Sequence, residues 1–342
     1  MPPQPIVDIS AIVLTSDIDQ NMLRECLASV LASAQAGKLS AEVILVDNAS
    51  RARVCDWAAQ EFPSITVLRF ESPVGFSTGN NAGYRFAQGR YLLQLNNDTV
   101  VHPSALRTMI DFLDAHPDTG AVGPRLVNPD GTLQIGYYAR AFPTITYNAF
   151  HLFWIHRLLP NNPSLRRQML LDEPDVTREV DQPAGASLLY RRDVLFSLGL
   201  LDEDYVFAFD DVDICSRMKQ AGWKIYYVAE AEVTHYGGVS LRKSTADMTH
   251  YYLNGLLTYY QKRRSAASFL LMRLIVIAAI LFRIPIIFVV TYVIGKKRWR
   301  GNIRNYLRFL WVVLRSFVSG YNPQTLPRAV PTLVAPSAKT SM

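Results

Sequence analysis

The run Tyr91-Leu92-Leu93-Gln94-Leu95-Asn96-Asn97-Asp98-Thr99-Val100-Val101 is a largely apolar stretch that ends in a polar tip. Such a run suits a central parallel strand buried on both faces, so its carboxyl end is the first place where a carboxylate can meet solvent. Asn96 and Asp98 sit two apart and face the same side of an extended chain. One carboxylate and one amide oxygen at a strand end suit a hard divalent cation with positions left open for a ligand's phosphates. The same triplet is also ordinary turn chemistry, and the tip alone leaves both readings open.

The chain before this tip alternates. Ile6 to Leu14 reads as a strand, and Met22, Leu23, Cys26, Leu27, Val30 and Leu31 recur at helical spacing up to Gly37. Glu42 to Val46 reads as a second strand, ending in Asp47-Asn48-Ala49-Ser50, followed by a helix from Ala52 to Glu61 and a strand from Ile65 to Leu68. This β-α-β-α-β alternation predicts a parallel sheet with ligands outside the carboxyl ends of its strands. Asp47 stands at such an end, either as a contact for a nucleobase or ribose or as the N-cap of the next helix. Gly75, Gly79 and Gly83, with Asn80 and Asn81, open a further helix, where bare backbone and amide donors suit a phosphate or sugar. Their spacing is neither a Walker loop nor the dinucleotide fingerprint, which counts against adenine-nucleotide enzymes.

Beyond the tip, Pro103 suits a first helical position, and Leu106, Met109, Ile110 and Leu113 form one apolar stripe. Ala121 to Val127 reads as a strand, Asn128-Pro129-Asp130-Gly131 as a turn, and residues 136–176 show no period. Pro183-Ala184-Gly185-Ala186 is a small-residue loop entering a strand. Asp210, Asp211 and Asp213 then crowd the first turn of an amphipathic helix. The helix dipole favours acid there, but this many carboxylates directly after Tyr205-Val206-Phe207-Ala208-Phe209 exceed what a cap requires. A strand from Lys224 to Val228 leads on to His235 and Ser240.

Nearly half of the 342 residues are hydrophobic, enough for one large α/β domain and a smaller region. Cys26, Cys55 and Cys215 show no metal-ligand spacing, as expected of a reducing compartment. All 29 acidic residues fall at or before Asp247, whereas 14 of the 35 basic ones fall from Lys262 onward. An acidic body with a basic, apolar tail suits an anionic membrane surface and not nucleic acid. Residues 266–295 are almost wholly apolar, broken by Arg273, Arg283 and Pro285. That length suffices to span a bilayer, but an arginine in mid-span is costly unless it is buried or snorkels. The next stretch puts Arg304, Arg308 and Arg315 on one helical face, as in a helix lying in the membrane interface. In-plane or re-entrant helices are expected, with a full span and a soluble helical cap as alternatives. Basic clusters around the run keep both its ends cytoplasmic. Met1 to Pro5 have neither the basic region nor the apolar run of a cleavable signal.

In order along the chain, Val46 to Ser50, Gly75-Phe76 with Gly79 to Gly83, Leu95 to Thr99, Pro183 to Ala186, Phe209 to Asp213 with Arg217, Gly222-Trp223, and His235 to Ser240 resemble a family 2 glycosyltransferase of the GT-A fold. The branch is that of bacterial rhamnosyltransferases and galactofuranosyltransferases. The resemblance implies an α/β fold, a Rossmann-like mixed sheet flanked by helices over residues 1–250, with a membrane-associated helical region over 251–342. It implies an inverting, metal-dependent hexosyltransferase of bacterial cell-envelope glycan synthesis, at the cytoplasmic face of the inner membrane. Its donor would be a nucleoside-diphosphate sugar, dTDP-rhamnose ahead of UDP-sugars, its acceptor lipid-linked or a glycan, and its cofactor Mg²⁺ or Mn²⁺.

Carried onto this chain, the resemblance makes Asp211 the catalytic base and Asp98 and His235 metal ligands. Thr15, Asp47, Gly75, Asn80, Asn81, Asn96 and Asn97 would serve the nucleotide sugar. Gly185, Ala186, Asp210, Asp213, Arg217, Trp223 and Ser240 would lie toward the acceptor. The sequence departs from the family pattern at Thr15-Ser16-Asp17, which lacks the usual aromatic ring, and at Asp210, which stands for the usual Glu. The chemistry agrees with these assignments. An acceptor hydroxyl must lose its proton as it attacks the anomeric carbon through an oxocarbenium-like state, one carboxylate suffices for that, and a cation on the diphosphate serves as Lewis acid. A nucleotidyltransferase would require a glycine- and arginine-rich first loop, which Leu14-Thr15-Ser16-Asp17 is not. A non-catalytic membrane scaffold would require the carboxylates to be dispensable.

Overall fold

The structure, a computed structural model, describes residues 7–135, 139–159, 162–168, 174–237, 245–294, 300–323, 326 and 329–334. The first half alternates as the periodicity predicts: β1 (Val7–Thr15), α1 (Gln20–Ala36), β2 (Ala41–Asn48), α2 (Val54–Glu61), β3 (Thr66–Phe70), α3 (Phe76–Phe86) and β4 (Gly89–Asn96). After it come β5 (Thr99–Val101), α4 (Ala105–Ala115) and β6 (Thr119–Val127). Short elements follow: β7 (Ala139–Arg140), α5 (Ile145–Leu152), α6 (Ile155–Leu158), α7 (Pro163–Gln168), β8 (Arg178–Glu179) and β9 (Gln182–Pro183). The chain then forms β10 (Ser187–Arg191), α8 (Arg192–Ser197), α9 (Asp210–Gln220) and β11 (Lys224–His235). Last come α10 (Thr245–Arg263), α11 (Ala266–Phe288) with a π-helical turn at Val289–Val293, α12 (Arg300–Ser319) and β12 (Thr332–Val334).

One mixed sheet carries the molecule, in the order β12-β3-β2-β1-β4-β10-β6-β11-β5, with β8 beside β11. The strands β3, β2, β1 and β4 are parallel, and β10 runs against both β4 and β6. Ile9, Ile12, Leu45, Leu92 and Leu93 are buried from both faces, each worth about 1.5–3 kcal/mol relative to exposure. The glycines of α3 have a packing reason. A Cβ at Gly79 would sit 2.5 Å from Leu14 Cδ1, and one at Gly83 2.6 Å from Ile12 Cγ2, so α3 lies against β1 only because both side chains are missing.

A second hydrophobic cluster joins α10, α11 and α12 to Leu152, Tyr205, Phe209 and Val212. The expected boundary at residue 250 falls inside α10, and the tail is not purely helical, because β12 returns to pair with β3 at the sheet edge. Among the described residues, Ala266 to Val293 makes one helix long and apolar enough to cross a membrane by length and composition. The arginines that interrupt it turn inward. Arg273 donates to Ser316 Oγ at 2.9 Å, and Arg283 to the carbonyls of His151 and Leu152 and to Tyr306 Oη.

Candidate active site

A cavity of about 800 Å³ opens at the carboxyl ends of β1, β2 and β4, where an open α/β sheet offers its ligand crevice. On one side stands the Asn96-Asn97-Asp98 turn between β4 and β5. Asn97 Nδ2 donates to Thr15 Oγ1 at the end of β1 (2.9 Å), and Asn96 N donates to Ala186 O (2.9 Å), so the turn is fixed from two sides. Pairing of β5 with β11 then sets the partner: His235 lies opposite Thr99, and Tyr236 N donates to Asp98 O at 2.9 Å. His235 Nε2 comes to 3.3 Å from Asp98 Oδ1 and 3.5 Å from Asn96 Nδ2, with both titratable side chains buried.

Gln134 decides which imidazole nitrogen is protonated. Its Nε2 donates to His235 O (2.9 Å) and Asn128 Oδ1 (3.2 Å), so its Oε1 accepts from His235 Nδ1 (2.7 Å). The lone pair of Nε2 is left facing the Asp98 carboxylate, an arrangement that a shared cation satisfies. One carboxylate oxygen and one imidazole nitrogen fit Mn²⁺ better than Mg²⁺, which prefers oxygen ligands throughout. Among the described residues no third His, Cys, Asp or Glu joins them, which leaves coordination positions for a ligand.

Across the cavity, α9 begins after Ala208 (φ 67°) and Phe209 (φ 69°), both left-handed. This backbone is unfavourable for residues with side chains, and it turns the next two carboxylates toward the cleft. Asp211 Oδ2 accepts from Gln182 Nε2 (2.8 Å) and Gly185 N (3.0 Å), while Oδ1 accepts from Val212 N (2.8 Å). Gly185 allows this close approach, since a Cβ would lie 3.1 Å from both Oδ2 and Cβ of Asp211 and would press on the carboxylate. Asp210 is buried beside it. Burial first, and then the Asp211 charge, push its carboxyl up to about 8.

The remaining wall comes from the stretch that showed no period: Arg140, then Tyr147, Asn148 and His151 of α5, with Tyr251 and Tyr252 of α10. Burial lowers the His151 imidazole to about 4, helped by the nearby His156 and Arg140, so it is neutral at ordinary pH.

Thr15, Asn96, Asn97, Asp98, Gly185, Ala186, Asp210, Asp211 and His235 therefore line one cavity. Other expected site residues do not. Asp47 is fully buried, held by Arg69 Nη1 (2.5 Å) and Ser50 N (2.8 Å), and Asn48 lines the cleft in its place. Gly75 packs on Val206, whose carbonyl accepts Phe76 N (2.7 Å) at the start of α3, where a phosphate was expected. Asn80 bonds back to Phe76 O (3.0 Å), and Asn81 clamps Leu201 through both its amide atoms. Asp213 is closed in by Arg217 Nε (2.7 Å), Arg263 Nε (2.6 Å) and Tyr205 Oη (3.2 Å). Arg217 spends its remaining donors on Leu198 O and Leu200 O. Asn81 and Arg217 border a separate polar cavity of about 590 Å³. Trp223 stands at the opposite end of β11 from His235, over Gly120. Ser240 lies outside the described residues. Gln134, Gln182 and the α5 wall escaped sequence reasoning, since only the folded chain brings them to their partners.

The sequence relatives fit this cavity. The family model of Glycosyl transferase family 2 matches residues 10–174. The N-acetylglucosaminyl-diphospho-decaprenol L-rhamnosyltransferase of Mycobacterium tuberculosis H37Rv is 30% identical over 229 residues, 60% of this chain and 69% of that protein. The chain belongs to glycosyltransferase family 2. Another relative, the O-antigen biosynthesis protein RfbC of Myxococcus xanthus, is 30% identical over 240 residues, 68% of this chain but only 18% of that longer protein. Solved glycosyltransferases share the GT-A fold. A mannosyltransferase from Pyrobaculum calidifontis, in complex with GDP-Man and Mn²⁺, superposes with a TM-score of 0.52 at 14% identity, covering 92% of this chain and 88% of that one. GalNAc-T7 with UDP, GalNAc and Mn²⁺ gives 0.50 at 13% identity, covering 93% and 58%. As a family 2 member the chain is a glycosyltransferase, and the mixed sheet flanked by helices is the one its sequence implied.

Proposed function

We propose that this enzyme transfers a sugar, rhamnose first, from a nucleoside-diphosphate donor to a lipid-linked acceptor with inversion at the anomeric carbon. The reading is carried by one observation: the Asp98–His235 pair and the Asp211 carboxylate, from three separate segments, open into the same cavity. Asp98 and His235 would hold Mg²⁺ or Mn²⁺, which supplies Lewis-acid neutralisation of the departing diphosphate. Thr15 and Asn97 fix the turn on which Asp98 stands. Asp211 is the general base. Its Oδ2 is aimed by Gln182 and Gly185, and it takes the acceptor hydroxyl's proton as that oxygen attacks the sugar. Burial raises the Asp210 carboxyl and the Asp211 charge beside it adds to the shift, so the two carboxylates act as a coupled pair. Direct displacement requires no covalent intermediate.

The α5 and α10 wall is the acceptor side, because the donor side is occupied by the strand ends and the metal pair. The M. tuberculosis relative is named for a decaprenol-linked acceptor, which supports the same class here and a place in cell-envelope glycan synthesis. The tail supports work at the cytoplasmic membrane face. Leu307, Trp311 and Leu314 of α12 are exposed beside Arg304, Arg308 and Arg315, the make-up of a helix lying in an anionic interface. The test is release of nucleoside diphosphate by the full chain with Mg²⁺ and a panel of nucleotide sugars. Turnover of one donor, lost in Asp98→Ala and Asp211→Ala, is expected; equal turnover by these variants would contradict the reading.

A further inference from the structure

The acceptor wall is built on a short helix. α5 has eight residues, too few to be stable alone, yet it presents Tyr147, Asn148 and His151 to the cleft. Its first turn is capped by Thr144 Oγ1, which accepts Tyr147 N at 3.1 Å. Its last turn is held from outside. Arg283, in the middle of the most apolar helix of the chain, donates Nε to Leu152 O (2.6 Å) and Nη2 to His151 O (2.9 Å). Both carbonyls belong to the last turn, at the negative pole of the helix dipole, and His151 O also accepts Trp154 N at 3.2 Å. Nη1 reaches Tyr306 Oη of α12 (2.8 Å), and the guanidinium lies 4.7 Å over the Trp154 ring.

The neighbour of Arg283 reaches the surface while meeting the same Trp154. Phe282 is 44% exposed, in a face of α11 that also exposes Leu274, Leu281, Ile286 and Val289, and it touches Phe153 and Trp154 just after α5. Residues 282 and 283 therefore join the exposed apolar face of α11 to the wall of the cleft. A charge set among apolar residues is costly unless every donor is used, and the fork of arginine reaches two adjacent carbonyls and a hydroxyl, which an ammonium on the same stem does not.

We propose that Arg283 is a positioning residue for the acceptor: from the apolar helix α11 it holds the end of α5, and so sets Tyr147, Asn148 and His151 in the cleft. This rests on the reading above that the α5 wall receives the acceptor. The test compares Arg283→Met, Arg283→Lys and Tyr306→Phe in the full chain. Three quantities are read: hydrogen exchange across residues 145–154, acceptor KM, and release of nucleoside diphosphate to water without acceptor. Arg283→Met is expected to lose exchange protection across 145–154 and to raise acceptor KM about tenfold, a displacement-sized effect, with release to water unchanged. Arg283→Lys falls between it and the natural chain, and Tyr306→Phe, which leaves one guanidinium donor unmet, shows a smaller loss of the same kind. Unchanged protection in Arg283→Met overturns the proposal. So does an equal fall in release to water and in transfer, which marks general loosening of the helices. A natural chain that consumes no nucleotide sugar counts against the function proposed above, while hydrogen exchange still decides whether Arg283 holds α5.

Discussion

Gln134 Oε1 accepts the Nδ1 proton of His235 at 2.7 Å, across 101 positions of sequence. The imidazole is thereby committed to one tautomer, with Nε2 turned to Asp98. Replacing Gln134 with Leu frees the ring to rotate and to protonate the wrong nitrogen. Affinity for Mn²⁺, followed by titration of the purified chain, is expected to fall about ten- to a hundredfold, as for other groups that orient a metal ligand. Unchanged affinity would show that the ring needs no such support.

The two carboxylates at the start of α9 should separate on mutation. Asp211→Asn is expected to lower kcat by about 10²- to 10⁴-fold, the range for loss of a general base, with donor binding by calorimetry unchanged. Gly185→Ala should damage the same step without touching the carboxylate itself, because the new Cβ would press on Asp211 at 3.1 Å. A kcat loss below the roughly hundredfold of a ~1 Å misplacement is expected, and a Gly185→Ala enzyme with natural kcat would contradict the aiming role.

Asp210 gives a pH signature. Its carboxyl titrates near 8 when folded against an ordinary value of 3.8, so the folded state holds a proton that the unfolded state has released. Its contribution to stability is full below about pH 4 and is lost as pH rises toward 8, by at most ~1.4 kcal/mol per pH unit. Denaturant unfolding of Asp210→Asn should lack this decline, and its margin over the natural chain should widen across that window. Parallel curves would contradict it.

Arg69 and Asp47 form a buried pair behind the cleft. Arg69→Met leaves the Asp47 charge without its partner, and removing one member of such a pair costs about 3–5 kcal/mol. Thermal unfolding should register that loss, while donor KM measured below the transition stays unchanged. A rise in donor KM with natural stability would return Asp47 to the nucleotide.

These cases divide what the sequence could tell from what it could not. Hydrophobic period and strand ends located β1 to β4 and the Asn96-Asn97-Asp98 turn, because each depends on neighbours a few residues away. Asp98 and His235 were each legible as chemistry-bearing residues, but their meeting depends on β5 pairing with β11. Asp47, Asn81, Asp213 and Arg217 were read as contacts for donor or acceptor, and the fold pairs each with a residue from elsewhere in the chain, Arg69, Leu201, Arg263 and Leu198, which the sequence pattern does not show. The α5 wall had no period to read, since its order is imposed by α10 and by Arg283 of α11.

The central claim is direct displacement, with Asp211 drawing the proton from the acceptor. The anomeric configuration of the transferred sugar, read by NMR on product made with the donor that turns over, tests it most directly. Configuration opposite to that in the donor is predicted, and retained configuration would contradict the account.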